Sequence, residues 1–216
     1  MASRAPGRPS TRGRQAEARR NDLAVLEAAR DVFAAQGAGA PIAAVAELAG
    51  VGMGSLYRRY GSKTELLQRL CVLAMEQAHA AARDALAARD PWTGLEGYIR
   101  ACVELRAGAL APLAGQIETT EEMRRVYREG RGLLDEIVAR AHVDGSLRAD
   151  ATALDVAWLI EQFSRRPPEG IDPGEAAHVR ARLLAIALDG LQAPGARPLP
   201  GRPPSRRHYE GRWRPS

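Results

Sequence analysis

Ala46 to Lys63 reads AELAGVGMGSLYRRYGSK, and this stretch decides the fold. Ala46 is small enough to let two helices cross closely. Gly50 can take the left-handed conformation that ends a helix. Val51 then plugs the elbow, and Leu56 supplies the core contact of a second helix. Ser55, Tyr57 and Arg58 are left outward on that helix, with Met53 and Gly54 at its start. A short helix carrying exposed hydroxyls and a guanidinium, backed by a buried Leu, suits entry into a DNA major groove. The plainer alternative is a helical hairpin whose turn happens to carry Gly and Val.

Working outward, Asn21 or Asp22 can cap a preceding helix that runs to about Gln36 and stops at Gly37. Leu26, Ala29 and Phe33 line one face of it, the ordinary core stripe of a small three-helix unit. Downstream, a long helix is expected from about Ser62 to Ala88 with two apolar stripes. Leu66, Leu67, Leu70, Ala74 and Ala81 form one; Val72, Met75, His79, Ala82 and Leu86 form the other. A helix apolar on two faces belongs between two bodies. Asp90-Pro91 ends this rod, and further helices are expected near 93–106, 121–142, 152–165 and 175–192.

The chain is 45% hydrophobic with 5% aromatic residues, and is rich in Ala and Leu, which favours helices over sheets. Its formal net charge is +5, but the charge is unevenly spread. Residues 1–20 and 193–216 each carry six Arg and one Glu, leaving 19 basic and 24 acidic residues in an acidic body. The first segment has Pro6 and Pro9, and the last has six Pro and no apolar period, so both read as disordered. Trp213 looks incidental. The polar, Arg-rich start and the absence of a long apolar run point to a cytoplasmic protein.

The run from Pro41 to Leu67, above all GVGMGSLYRRYGSKTELL, resembles the DNA-binding domain of TetR/AcrR-type bacterial transcriptional regulators. The Gly-Val turn, Leu56-Tyr57, Tyr60, Ser62-Lys63 and Glu65-Leu66-Leu67 fall at that family's spacing. The closing LLAIALDGLQAPGARPLPG is similar to a subgroup that ends on a helix with Asp-Gly-Leu and a Pro-rich tail. The resemblance implies an all-α fold, with an N-terminal three-helix helix-turn-helix domain and a larger C-terminal bundle for ligand binding and dimerisation. The expected division is a disordered arm at 1–20, a DNA-binding domain at 21–66 linked by the rod at 62–88, a ligand and dimer domain at 67–192, and a disordered tail.

Family resemblance further implies a homodimer, joined through the last two helices, that reads a palindromic operator in double-stranded DNA. A small-molecule effector would release it, with the rod carrying the coupling. No cofactor and no enzymatic activity are expected. Gly52, Met53, Gly54, Ser55, Tyr57, Arg58, Arg59 and Lys63 are the candidate DNA contacts. Gly52 stands where the family commonly has serine, Met53 where a polar residue is frequent and Arg59 where histidine is typical. Ala40, Pro41 and Ile42 lack the hydroxyls often found at the start of helix two. These departures shift weight to Arg58 and to Arg12, Arg14, Arg19 and Arg20 of the arm, which could follow the DNA backbone or a minor groove.

For the implied pocket, the sequence offers Met75, His79, Tyr98, Cys102, Arg106, Met123, Tyr127, Trp158 and Gln162. Apolar residues at helical spacing also make plain core. Arg106 and Gln162 are more telling, because a polar group among apolar neighbours must find a partner. His79 is expected as a satisfied buried histidine, and Cys71 and Cys102 as small buried side chains. Two readings compete: a helical interaction module that has lost specific DNA binding, given the departures at Ala40 to Ile42 and at Gly52, and a metal-dependent enzyme. Glu76-Gln77-Ala78-His79 and Glu175-Ala176-Ala177-His178 repeat the Glu-x-x-His pairing of di-iron bundles, and Glu104, Glu118 or Glu161 could complete a carboxylate set. Helical angles oppose it, since Glu76 falls between the two stripes of its helix and His178 points away from the apolar face of its own.

Overall fold

The computed structural model describes residues 11–165, 170–192 and 197–213, and helices dominate them. In chain order these are α1 Thr11–Gln36, α2 Ile42–Leu48, α3 Met53–Tyr60, α4 Lys63–Ala87, α5 Pro91–Glu104, α6 Glu121–Asp144, α7 Ala153–Phe163, α8 Pro173–Leu191 and α9 Arg206–Gly211. A short 3-10 turn, Ala111–Leu113, precedes α6. Among the described residues the only extended pairing is one isolated bridge between Leu147 and Gln192.

Local chemistry explains the boundaries. Ser62, Asp90, Thr120 and Thr152 each accept a hydrogen bond from a backbone N–H in the first turn of the helix they precede. Thr152 and Asp155 complete a reciprocal capping box. At the other end of α6, Gly145 adopts φ 76°, a left-handed stop that a side chain would strain.

Two apolar clusters form the core, and α4 runs through both. The first joins α1, α2 and α3 to Leu66, Leu67, Leu70, Cys71, Val72 and Ala74 of α4. It also takes in Leu110, Leu113, Ile117, Met123 and Val126. The helix-turn-helix therefore shares its core with residues well beyond 66. The second gathers Ala82 and Ala85 of α4 with Leu95, Ile99, Ile137, Val156, Ile160, Leu184 and Leu188. Both stripes of α4 are thus covered, as a rod between two bodies requires.

Two expectations fail at the termini. The first helix starts at Thr11 rather than near Asn21, so the expected disordered arm is helical from residue 11; residues 1–10 lie outside the described residues. Thr11 to Arg20 is rich in Arg, Gln, Glu and Ala, all sound helix formers, and this outweighs the charge run. The tail is not wholly without structure either. Ser205 accepts from the His208 backbone N–H at 3.2 Å and starts α9. Trp213 is half-buried against the first cluster, so it is part of the packing.

Candidate nucleic-acid interface and effector cavity

The turn between α2 and α3 follows from Gly50. At φ 64° it directs the Val51 N–H back to the Ala46 carbonyl at 3.0 Å, closing α2 and swinging the chain round. Gly52 then opens α3 from an extended conformation with no side-chain cap. Leu56 and Tyr60 are the buried residues of α3, and they orient the helix. Gly52, Met53, Gly54, Ser55, Tyr57, Arg58 and Arg59 are exposed.

Contacts at its C-terminal end hold this helix at its angle. The Tyr60 hydroxyl donates to Asp22 of α1. Burial, that hydrogen bond and the Asp22 charge together push the phenol well above its ordinary value, so it remains a donor. Arg59 lies 3.3 Å from the same carboxylate, so its charge is partly spent within the fold. Gly61, at φ 64°, turns the chain into α4, where the Ser62 hydroxyl accepts from the Glu65 N–H at 3.1 Å. Lys63 starts α4 and its ammonium sits 5.7 Å from the centre of the Phe33 ring. Arg58 has no ion-pair partner among the described residues and faces solvent.

Deeper in the chain, a cavity of about 360 Å³ lies between α4, α6, α7 and the tail. Met75, Met123 and Tyr127 line it, with Cys71, Ala74, Ala107, Gly108 and Leu110. A neighbouring cavity of about 160 Å³ takes Met75, His79, Tyr98 and Tyr127. Five of the nine expected pocket residues therefore come together, and Cys102, Arg106, Trp158 and Gln162 line neither cavity.

The reasons differ. Arg106 has φ 52°, which takes the chain out of α5 and turns its guanidinium to Asp31. Gln162 is exposed on α7. Cys102 is fully buried in the second cluster. Trp158 stacks edge-on against Tyr209, with ring centres 5.4 Å apart.

Sequence reasoning missed the polar end of the larger cavity. Glu161, only 4% exposed, lines it, and Tyr209, Glu210 and Trp213 of the tail form a wall. Both Glu161 oxygens accept from Arg212, each at 2.9 Å. That guanidinium lies 4.2 Å from the Trp158 ring centre and 4.5 Å from that of Tyr209.

His79 is buried, but its Nε2 has no hydrogen-bond partner among the described residues, which departs from the expected satisfied histidine. Gly130 faces that nitrogen, where a Cβ would collide with it. Cys71 and Cys102 are free and buried; burial pushes their thiols up to about 12 and about 11, which keeps them protonated and inert. Glu76 pairs with Arg69 at 3.5 Å on the surface and His178 is exposed. Among the described residues no three His, Cys, Asp or Glu side chains converge as a metal site would need.

With this geometry in place, the likeness to known proteins has a structural meaning. The profile of the bacterial regulatory proteins of the tetR family matches residues 25–70, which span α2, α3 and the start of α4. The C-terminal domain profile of SbtR-like transcriptional regulators matches residues 90–193. The chain belongs to the TetR family.

Solved TetR-family structures share its architecture over most of their length. The TetR transcription regulatory protein from Mycobacterium vanbaalenii is 28% identical, with a TM-score of 0.57 over 83% of this chain and 99% of that one. The ketosteroid transcriptional regulator KstR2 of Mycobacterium tuberculosis, at 22% identity, superposes with a TM-score of 0.59 over 88% and 100% of the two chains, a likeness of fold. A different match is to aspartate/glutamate leucyltransferases of Brucella ovis and Brucella canis, 29% identical over 120 residues. It takes in 44% of this chain, which spans 45% of the length of those curated relatives. Among the described residues of this TetR-family chain, no helix is long and apolar enough to cross a membrane.

Proposed function

We propose that the chain is a cytoplasmic, non-enzymatic transcriptional regulator that binds a palindromic operator as a homodimer and is released by a small-molecule effector, most simply as a repressor. The observation that carries this reading is α3. Seven consecutive candidate contacts apart from Leu56, running from Gly52 to Arg59, face solvent on a helix whose opposite side is clamped by Leu56, Tyr60 and Asp22. A rigidly held, exposed helix tip with a free guanidinium is what groove reading demands. Arg58 reads base edges in this proposal, Ser55 and Tyr57 contact phosphate or base, Met53 packs on a thymine methyl, and Lys63 contributes phosphate attraction. The helical extension Thr11–Arg20 carries the Arg-rich arm toward the duplex.

The dimer forms through α7 and α8. Val179, Leu183 and Ile186 repeat at i, i+4 and i+7 on α8 and are 43%, 51% and 63% exposed, an apolar stripe of the kind a second copy covers. Twofold symmetry then offers two α3 helices to successive major grooves. The effector occupies the cavity between α4, α6 and α7. Besides α4, the segment after α5 supports a route to the DNA-reading helices, because Ala107 and Gly108 line the cavity while neighbouring Leu105 and Arg106 bond to α1.

The test is nuclease protection of the upstream region of the protein's own gene, followed by equilibrium binding across a salt series. A protected palindrome whose affinity falls steeply with salt is expected. Arg58→Ala should lower discrimination between operator and random DNA, and Lys63→Ala should weaken both alike. Parent and variants that bind operator and random DNA equally would overturn the reading.

A further inference from the structure

The cavity raises a question that α3 does not answer: what chemistry would enter it. Glu161 is the decisive group. A carboxylate that is 4% exposed, in a chamber lined by Cys71, Ala74, Met75 and Leu110, is costly unless a cation meets it. Here the cation comes from the chain itself. Arg212, 51 residues on, donates to both oxygens, and the Trp158 and Tyr209 rings flank its guanidinium.

Besides the packing of Tyr209 on Trp158 and of Trp213 on the first cluster, the segment that delivers Arg212 is tied among the described residues by polar contacts. Arg148 donates to the Arg197 carbonyl at 2.5 Å and the Leu199 N–H donates to Asp150 at 2.7 Å. α9 is then held by Arg131–Glu210 at 3.0 Å and Arg206–Asp135 at 3.4 Å, both partly exposed pairs of the kind worth little individually. When this segment lifts, Glu161 and Trp158 stay behind on α7, a negative charge stripped of its partner beside an aromatic face. Glu210 leaves with the tail, and Arg124, the remaining charge at the rim, is occupied by Glu121 and the Thr119 carbonyl.

We propose that Glu161 and Trp158 form the anchor of a binding site for a monocationic, largely apolar organic molecule, and that Arg212 is a built-in occupant which such a molecule displaces. This deepens the effector reading of the cavity and rests on it. The ligand's cationic nitrogen replaces the guanidinium between carboxylate and indole, and its apolar body fills the space lined by Met75, Met123 and Tyr127. An anionic ligand meets Glu161 as a like charge and is rejected.

The experiment titrates the full chain, without DNA, with rhodamine 6G as a cationic probe and 8-anilinonaphthalene-1-sulfonate as an anionic one. Arg212→Ala should bind rhodamine 6G at least about tenfold more tightly than the parent, because the internal competitor is gone. Adding Glu161→Gln should erase that gain; Arg212→Gln, which removes the charge but keeps a polar side chain, should show the same gain if Arg212→Ala alone folds poorly. The anionic probe should show no loss with Glu161→Gln. A gain that survives Glu161→Gln, or an equal gain for the anionic probe, would overturn the proposal. Operator protection read on the same proteins separates the two readings. Protection without any cation gain sinks the anchor alone, whereas a cation gain in a chain that protects no palindrome upholds the anchor and sinks the regulator.

Discussion

Arg30 of α1 donates to the backbone carbonyl of Leu105, at the end of α5, at 2.7 Å across 75 residues of chain. Its second terminal nitrogen donates to Gln77 of α4 at 2.8 Å. One buried guanidinium thus ties the DNA-reading helices to both helices behind them. Burial, and next the Arg106 charge, lower its pKa from the ordinary value, the mark of a cation held where water is scarce. The Arg106–Asp31 pair beside it spans the same gap but is largely exposed on the Asp31 side.

Arg30→Met keeps the apolar stem and removes both bonds, and should cost roughly 1.5–3 kcal/mol. Arg106→Met should cost less than about 1 kcal/mol, because an exposed pair is screened by water. Urea unfolding of both variants checks the order. A larger loss from Arg106→Met would mean that the junction is held by the surface pair.

Much of this junction was beyond the reach of sequence reading, for a physical reason. The elbow at Gly50 and Val51, the buried Leu56 and the two stripes of α4 were legible because each rests on spacing within one or two helices. Arg106 was read as a pocket residue from its polarity among apolar neighbours; a left-handed backbone at that position, which nothing local announces, sends it to Asp31 instead. The tail shows the same limit. α9 is six residues long, too short to display a period, and its anchor on Glu161 depends on a partner 51 residues away.

Two glycines of α5 differ in what surrounds them. A Cβ on Gly94 would sit 2.5 Å from the Ala85 carbonyl oxygen of α4, a backbone atom that cannot step aside. Gly97 has nothing within 4 Å. Gly94→Ala should destabilise by about 1–3 kcal/mol through forced separation of α4 and α5. Gly97→Ala should stabilise by roughly 0.5–1 kcal/mol through helix propensity. Thermal melts moving in opposite directions are expected; a neutral Gly94→Ala would show that the two helices are not in close contact.

His79 gives the fold a pH dependence. Burial, the largest influence, holds its pKa below 6.5; a hydrogen bond to the Val126 backbone opposes this, Arg83 adds to it, and Glu129 and Glu76 oppose it more weakly. The folded state thus prefers the neutral ring. Above pH 6.5 both folded and unfolded chains carry it neutral, and its full contribution is present. As pH falls below 6.5 the unfolded chain binds a proton that the folded chain resists, so stability declines toward the folded-state value, by no more than about 1.4 kcal/mol per pH unit for one proton. Denaturant titrations between pH 7 and pH 5 should show this slope in the parent and a shallower one in His79→Leu. Equal slopes would remove His79 from the account.

The stripe on α8 makes the last prediction. Leu184 and Leu188 turn inward to the second core cluster, whereas Val179, Leu183 and Ile186 turn outward. A monomer gains nothing from three large apolar side chains on one exposed helix face, but a twofold interface buries each of them twice. Burying a Leu or Ile side chain is worth about 1.5–3 kcal/mol, and an ionised carboxylate in the same place must be stripped of water without a partner. Ile186→Glu should therefore yield monomers at concentrations where the parent sediments as a dimer, with the fold intact by circular dichroism. Operator affinity should fall with it, since a single α3 reads only half a palindrome, while contact with one half-site should survive. Dimers that persist in the Leu183→Glu/Ile186→Glu double variant would place the interface on another face.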